Sequence, residues 1–416
     1  MYVFVRSVVW MLTLLLAAAA PGAAQSASPS PPAQPQAVST GFDGGFFIQS
    51  ADGRNRLTFG MVSQVDGRFS TDNPAPIIDT FIVRKARPMF TGRLAHYFDF
   101  KLVPDFGNGK AVVQDATIGI LFSPMVHVRI GKDKTPIGYE LLLSDPYLLF
   151  PERSLASALV PNRDVGVSVQ GDVAASKLSY AVGLYNGIPD GTSSSTDVDT
   201  NNAKDLAGRV IAQPFGAASA LHGLGVHVGA SAGSSKGPLP SFATSIQQTF
   251  FAYAGAAADG KHTRVAPAVF YYRGPFGGFA EYVRSTQAIA GSRGAADVSN
   301  HAWDVSGSWL LTGETGSPAM IHPIHDFDPQ NREWGALQIV ARYSALTIDR
   351  DAFDLGFAAR GASREARQFT VGANWILNPF VKFYAIWEQT TFQGNAERPA
   401  EHAIVFRSQL AFGDRR

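Results

Sequence analysis

The residues of this chain that could do chemistry are mainly basic side chains set beside acids. Arg84, Lys85 and Arg87 stand together in RKAR, and Asp105 follows in PDF. The connection from Asp133 to Asp164 carries Lys134, Glu140, Asp145, Glu152, Arg153 and Arg163. Guanidinium and ammonium donors fixed in a narrow, low-dielectric neck replace an anion's lost hydration and repel cations. Arg suits phosphate because its planar fork reaches two oxygens. Neighbouring carboxylates such as Asp105 orient the bases and temper affinity, so that ions leave as well as enter. The same residues also have plainer uses. Arg84, Lys85 and Arg87 could be wall charges paired with acids, Lys134 a solvated turn residue, and Arg153 a pin for a loop.

Other clusters carry less. HPIHDFDPQ (322–330) offers His322, His325, Asp326 and Asp328, but the spacing fits no zinc pattern and the segment reads as a Pro-containing loop. TSSSTDVDTNN (192–202) lacks the Gly and bidentate Glu of an EF-hand and reads as an exposed turn. GSSKG (233–237) has no phosphate-loop context. No Ser, His and Asp set stands in a nucleophile elbow, and with Cys 0 there is no thiol nucleophile. Neither a metal nor another cofactor is expected, and the chain is not expected to be an enzyme. Lys+Arg 35 against Asp+Glu 34 gives a formal charge of +1, which points to no nucleic-acid partner.

The elements that must position these residues are strands. In VKFYAIWEQ (381–389), Val381, Phe383, Ala385 and Trp387 alternate with Lys382, Tyr384, Ile386 and Glu388. Period two puts the two sets on opposite faces. The pattern recurs in DVGVSVQGD, HAWDVSGSWLL, GALQIVARYS and RQFTVGANWIL. The non-apolar faces are rich in Gly, Ser, Asn and Gln, as in a lumen. Aromatics gather at strand ends (Tyr271, Tyr272, Phe276, Phe279, Trp375, Phe380 and Trp387), as in the girdles of a membrane barrel. Seventeen candidate strands lie between 55 and 412, one too many for an even barrel. The least patterned, 247–257, or a split around 79–106, is the suspect. A midplane Lys382 or Arg342 facing lipid would cost roughly 2–4 kcal/mol, so the charged face turns inward.

Residues 1–24 read as a secretory signal, with Arg6, an apolar run from Val8 to Ala20 and a small-residue cleavage site at Gly22-Ala23-Ala24. Residues 25–41 are Pro- and Ser-rich and read as a flexible linker, 42–412 as the barrel, and 413–416 as a short tail.

The chain resembles the phosphate-selective porins O and P. The likeness runs through RKARPMFTGRL (84–94), KLVPDFGNGKAVVQDATI (101–118), VRIGKDKTPIGYE (128–140), PERSLASAL (151–159) and YAVGLYNG (180–187). It continues in GPFGGFAEYV (274–283), WLLTGE (309–314), GALQIVARYS (335–344) and GANWILNPFVKF (372–383). The resemblance implies an all-β, transmembrane antiparallel β-barrel of sixteen strands with an inward-folded constriction loop. It also implies a homotrimer in the bacterial outer membrane that conducts small inorganic anions, phosphate among them, with lipid around it. By the same resemblance, Lys134 and Arg153 match constriction positions, Arg84 and Lys85 match paired basic residues on an early strand and are counted with them as candidate anion-binding residues of the constriction, and Asp105 matches an acidic partner. Lys101, Arg209, Arg342, Lys382 and Arg407 are expected as wall charges facing water in the lumen. In KDLAGRVIAQPF only Arg209 represents the family's ladder of arginines, and Gly413 to Arg416 follow the expected terminal aromatic, Phe412. A weakly selective general porin, a closed structural or adhesive barrel, and a barrel-embedded hydrolase are the alternatives.

Overall fold

A computed structural model describes residues 38–72, 77–174, 177–194, 201–395 and 398–414. The signal segment, residues 25–37 of the expected linker and the last two residues of the tail lie outside that set. Val38 to Gly41 are not linker. They belong to β1 (Val38–Phe42), which forms a hairpin with β2 (Phe46–Ser50).

The strands that follow are β3 (Arg56–Ser70), β4 (Thr80–Leu94), β5 (Phe98–Asp105), β6 (Val112–Ser123), β7 (Val126–Lys134) and β8 (Arg163–Val173). Next come β9 (Leu178–Tyr185), β10 (Asp205–Ala212), β11 (Leu224–Gly237), the short pair β12 (Ser241–Ala243) and β13 (Thr249–Ala252), and β14 (Ala256–Arg273). The last are β15 (Phe276–Gly291), β16 (Gly294–Leu310), β17 (Ala336–Thr347), β18 (Glu365–Asn378), β19 (Val381–Gln393) and β20 (Glu401–Phe412). Each of β3 to β11 and β14 to β20 pairs antiparallel with the next, and β20 returns to β3 from Ala403↔Ser70 to Phe412↔Met61. Sixteen strands thus close into a barrel with no free edge. The surplus candidate at 247–257 holds β13, the second strand of the inward hairpin β12–β13, and only its last two residues reach a wall strand, β14.

Side chains divide as the alternation requires. On β19, Lys382, Tyr384, Ile386 and Glu388 are buried inside, while Phe383 is exposed outside. The outer surface carries large exposed apolar groups all round, among them Phe81, Ile118, Val167, Val228, Trp303 and Phe406. A belt of that kind suits hydrocarbon and would drive aggregation in water. Two of the expected girdle aromatics depart from this. Tyr272 and Phe279 face inward and pack with Phe270 around Tyr139. Period two assigns them to the inner face, and their place near strand ends had concealed it.

Short turns such as 95–97, 124–125, 274–275 and 379–380 join strands at one end, and most longer connections sit at the other. The longest of those, 135–162, folds into the lumen. Residues 311–335, which include the HPIHDFDPQ stretch, form a long connection at the short-turn end. After Phe412 the tail turns inward, where the Tyr147 hydroxyl donates to the Asp414 carbonyl at 2.6 Å.

Candidate ion-selective constriction

Loop 135–162 leaves β7 and crosses the lumen. Gly229 on β11 lets it begin, because a Cβ there would meet the Ile137 carbonyl oxygen at 2.0 Å. A one-turn helix, α1 (Tyr139–Leu142), follows. Its first N–H groups need acceptors. The Glu281 carboxylate on β15 supplies them, accepting from Tyr139 N at 2.6 Å and Glu140 N at 3.2 Å. The Tyr139 ring stacks on Phe270, with centroids 4.9 Å apart. Glu140 then ties the returning limb, accepting from Ser154 N, Ser154 Oγ and Ser157 Oγ at 2.7–2.9 Å.

The loop's far limb runs against β17 to β20, and its buried carbonyls must find donors. Gln409 Nε2 donates to Pro146 O at 3.0 Å, Lys382 Nζ to Leu148 O at 3.0 Å and Asn374 Nδ2 to Leu149 O at 2.9 Å. Arg407 donates to Pro151 O, and Arg342 Nη1 to Glu152 O at 2.9 Å. Arg342, Lys382 and Arg407 therefore point inward as expected but do not face water. The loop covers them, leaving Arg342 and Arg407 each 2% exposed. Their donors hold loop carbonyls, and in Arg407 the Asp66 and Glu152 carboxylates as well, rather than passing ions. Lys101 also points inward, 2.6 Å from Asp115.

On the side toward β4, β6 and β8 the loop stands clear of the wall. A hollow of about 410 Å³ opens there, lined by Arg84, Lys85, Arg87, Arg153 and Arg163, with Asp145, Glu152 and Asp190 as its acids. Arg84 and Lys85 both reach it because β4 carries a bulge. Gln64 pairs with Lys85 and Val65 with Val83, which leaves Arg84 as the extra residue. Gly107 fits against the bulge, since a Cβ there would lie 2.5 Å from the Arg84 carbonyl oxygen. The roof is the tip between β12 and β13, with Ser245 Oγ donating to Glu388 at 2.6 Å and Thr244 Oγ1 to Glu401 at 3.1 Å.

Asp145 is the hub of this site. Lys85 Nζ lies 2.8 Å and Arg153 Nη2 2.7 Å from its carboxylate, and Arg87 donates to it as well. Burial pushes the Asp145 carboxyl up, but Lys85, Arg153, Arg87 and Lys134 together drive it well below the usual range. Burial likewise raises Glu152, and Arg84, Arg407 and Arg68 outweigh it, so this carboxyl too is lowered. Asp105 holds Arg87 Nε at 2.6 Å. Arg163 is fixed by Asp115 at 2.7 Å. Nothing in the sequence pattern singles out Asp145 as a hub beyond the turn signal of its Asp-Pro step.

Lys134 is not in this hollow. Its Nζ donates to Leu143 O at 2.7 Å, and it lines a second hollow of about 40 Å³ with Arg129 and Arg209. Leu141 faces the larger space and Leu142 the smaller, so α1 divides them. The structure thus brings Arg84, Lys85 and Arg153 together, places Asp105 behind them, links Lys134 to Arg153 through the Leu143 carbonyl to which both donate, and sets Arg209 apart.

A family model for phosphate-selective porin O and P matches residues 56–412. The chain belongs to that family. Membership of the phosphate-selective porins O and P, together with the sixteen-stranded barrel, places it in the bacterial outer membrane. Solved outer-membrane proteins share the fold at low identity. The channel DcaP of Acinetobacter baumannii matches with a TM-score of 0.56 and 11% identity, covering 88% of this chain and 99% of that one. OmpT of Vibrio cholerae in its trimer form gives 0.54 and 12%, over 86% and 99%. Salmonella typhi OmpF, in complex with daunomycin, gives 0.54 and 12%, over 86% and 98%. No curated protein sequence matches.

Proposed function

We propose that this porin is a passive channel for small inorganic anions, phosphate among them, and that the hollow beside loop 135–162 is its selective neck. One observation carries the reading: five bases against three acids line that hollow. The surplus of positive charge in a space walled by protein attracts anions and repels cations without chemistry or an energy source. Arg84, Lys85 and Arg153 act as the selecting charges, and Asp105 orients Arg87. The decisive measurement is the reversal potential of the purified protein in planar bilayers under a potassium chloride gradient, repeated with phosphate. Anion preference supports the reading, and cation preference ends it.

A weakly selective general porin is the second reading, favoured by the acid partners that every one of these bases already has. Such pairing lowers the number of donors open to a bare phosphate, so phosphate passes without tight binding. A homotrimer is part of the proposal. Vibrio cholerae OmpT has a trimer form, and strands β20 and β3 to β8 here contain neither Trp nor Tyr. Those residues mark lipid interfaces. Apart from the exposed Tyr97 in the turn between β4 and β5, they are missing from one continuous arc, which instead exposes Phe81, Phe90, Phe98 and Phe406 and so suits contact with other copies.

A further inference from the structure

We infer that Asp414, just past the last strand, is a positioning residue for the selective neck, an inference that rests on the reading of the larger hollow as that neck. From the short-turn end of the barrel it fastens the turn that carries Asp145. β20 ends at Phe412, and the chain leaves the wall there. Gly413 takes a left-handed backbone, with φ at 83°, and its N–H donates to the Gly44 carbonyl in the β1–β2 turn. The path is open because its neighbours lack side chains. A Cβ on Gly60 would meet the Phe412 carbonyl oxygen at 2.5 Å, and one on Gly45 would meet Gly413 Cα at 2.8 Å. Asp414 thereby comes to lie against loop 135–162.

Two side chains of that loop hold it. Ser144 Oγ donates to the Asp414 carboxylate, and the Tyr147 hydroxyl donates to the Asp414 carbonyl. Ser144 opens the short 3₁₀ turn Asp145–Tyr147, and Tyr147 ends it. A serine in that place ordinarily turns its oxygen back onto the N–H groups of the turn it opens. Ser144 makes no such bond, and its hydroxyl serves Asp414 instead. Between the two ties stands Asp145, whose carboxylate gathers Lys85, Arg87 and Arg153. Gln409 of β20 adds its bond to Pro146 O. The end of β20 and the residues after it thus grip this turn at Ser144, Pro146 and Tyr147. With the turn fixed, the Asp145 carboxylate keeps one place among its bases, and the field in the neck stays steady.

The test is single-channel recording from the full barrel in planar bilayers, reading the frequency of brief excursions from the open level and the anion-to-cation permeability ratio. Asp414→Ala and Ser144→Ala each lose a hydrogen bond to a charged acceptor, and each is expected to make excursions roughly tenfold more frequent. The double variant should be no noisier than either alone, because both changes break one bond. Asp414→Asn keeps an acceptor oxygen and Ser144→Thr keeps the donor, so both should stay close to the wild type. If Asp414→Ala does not assemble, Ser144→Ala and Tyr147→Phe decide the matter, and quiet channels in both overturn the inference. Equal shifts of the permeability ratio in Asp414→Asn and Asp414→Ala, with no added excursions, would make Asp414 a plain charge at the mouth and overturn it too. So would frequencies that multiply in the double variant. An anion-selective wild type whose variants all stay quiet removes this inference and leaves the proposed function standing. Cation selectivity of the wild type removes the neck, and the positioning role with it.

Discussion

Arg84 and Lys85 are adjacent in the chain, yet both face the lumen, Arg84 Nε bonding Glu152 at 2.7 Å and Lys85 Nζ bonding Asp145 at 2.8 Å. A regular strand would send one of them to lipid. The bulge on β4 adds a residue and raises the bases on one wall of the hollow from two, Lys85 and Arg87, to three. Arg84→Ala is expected to lower the anion-to-cation permeability ratio about fivefold, the effect of roughly 1 kcal/mol for one charge acting through a water-like medium. Reversal potentials in a salt gradient measure it. An unchanged ratio with a correctly folded barrel would return Arg84 to a purely structural part.

Asp145 holds the opposite sign of influence. Asp145→Asn keeps the volume but removes the charge that balances Lys85, Arg87 and Arg153. Anion preference should therefore rise. The same change leaves buried cations uncompensated, a loss of the kind that costs about 3–5 kcal/mol when one member of a buried pair is removed. The folded form, followed by the heat-dependent shift on unboiled gels, should be lost at a lower temperature. Lower anion preference in a folded variant would contradict the role given to this carboxylate.

The strands were legible because lipid and water impose a strict alternation, so β8, β17 and β19 stand out from their residue pattern alone. What escaped was whatever breaks parity or joins distant residues. The bulge at Arg84 has no signature beyond two adjacent bases. The 247–257 stretch alternates too weakly to mark a wall strand, and it folds inward instead. Arg342, Lys382 and Arg407 have the right face for lumen charges, yet their loop partners lie 190 to 256 residues away in loop 135–162. Val38 to Phe42 were masked by their position next to a Pro- and Ser-rich run. The basic hollow was half visible: its members were among the candidate charges, but Asp145 as their common partner was not.

The docked loop should resist acid. Asp145 and Glu152 both have folded carboxyls lowered by the bases around them, while unfolded carboxyls titrate near about 4. A depressed folded value gives stabilisation that is complete above the unfolded value and lost only as pH falls through the folded one. Asp190, lowered to about 2 by Arg264 and His262 against the opposing effect of burial, obeys the same sign. The anchoring that these carboxylates supply should thus stay constant from pH 7 down to about 4 and be lost only below it. A change in selectivity centred between about pH 5 and 6 that Asp145→Asn abolishes would mean that Asp145 is not paired in the conducting state.

The arc whose strands lack Trp and Tyr makes a further prediction about assembly. Phe81 is 76% exposed on β4, and Phe90 lies on the same outward face. Against lipid, Phe→Ala at these positions changes little that another apolar group does not supply. Against a second copy it removes a packed ring, a truncation that typically costs about 3–5 kcal/mol when the site is fully buried. The double variant Phe81→Ala, Phe90→Ala should therefore separate into single barrels at lower temperature or detergent concentration than the wild type. Trp303→Ala, on the arc that carries Trp and Tyr, should leave the oligomer intact. Size-exclusion chromatography with light scattering in mild detergent reads both. If the Trp303 variant dissociates and the Phe variant does not, the copies meet through the opposite arc.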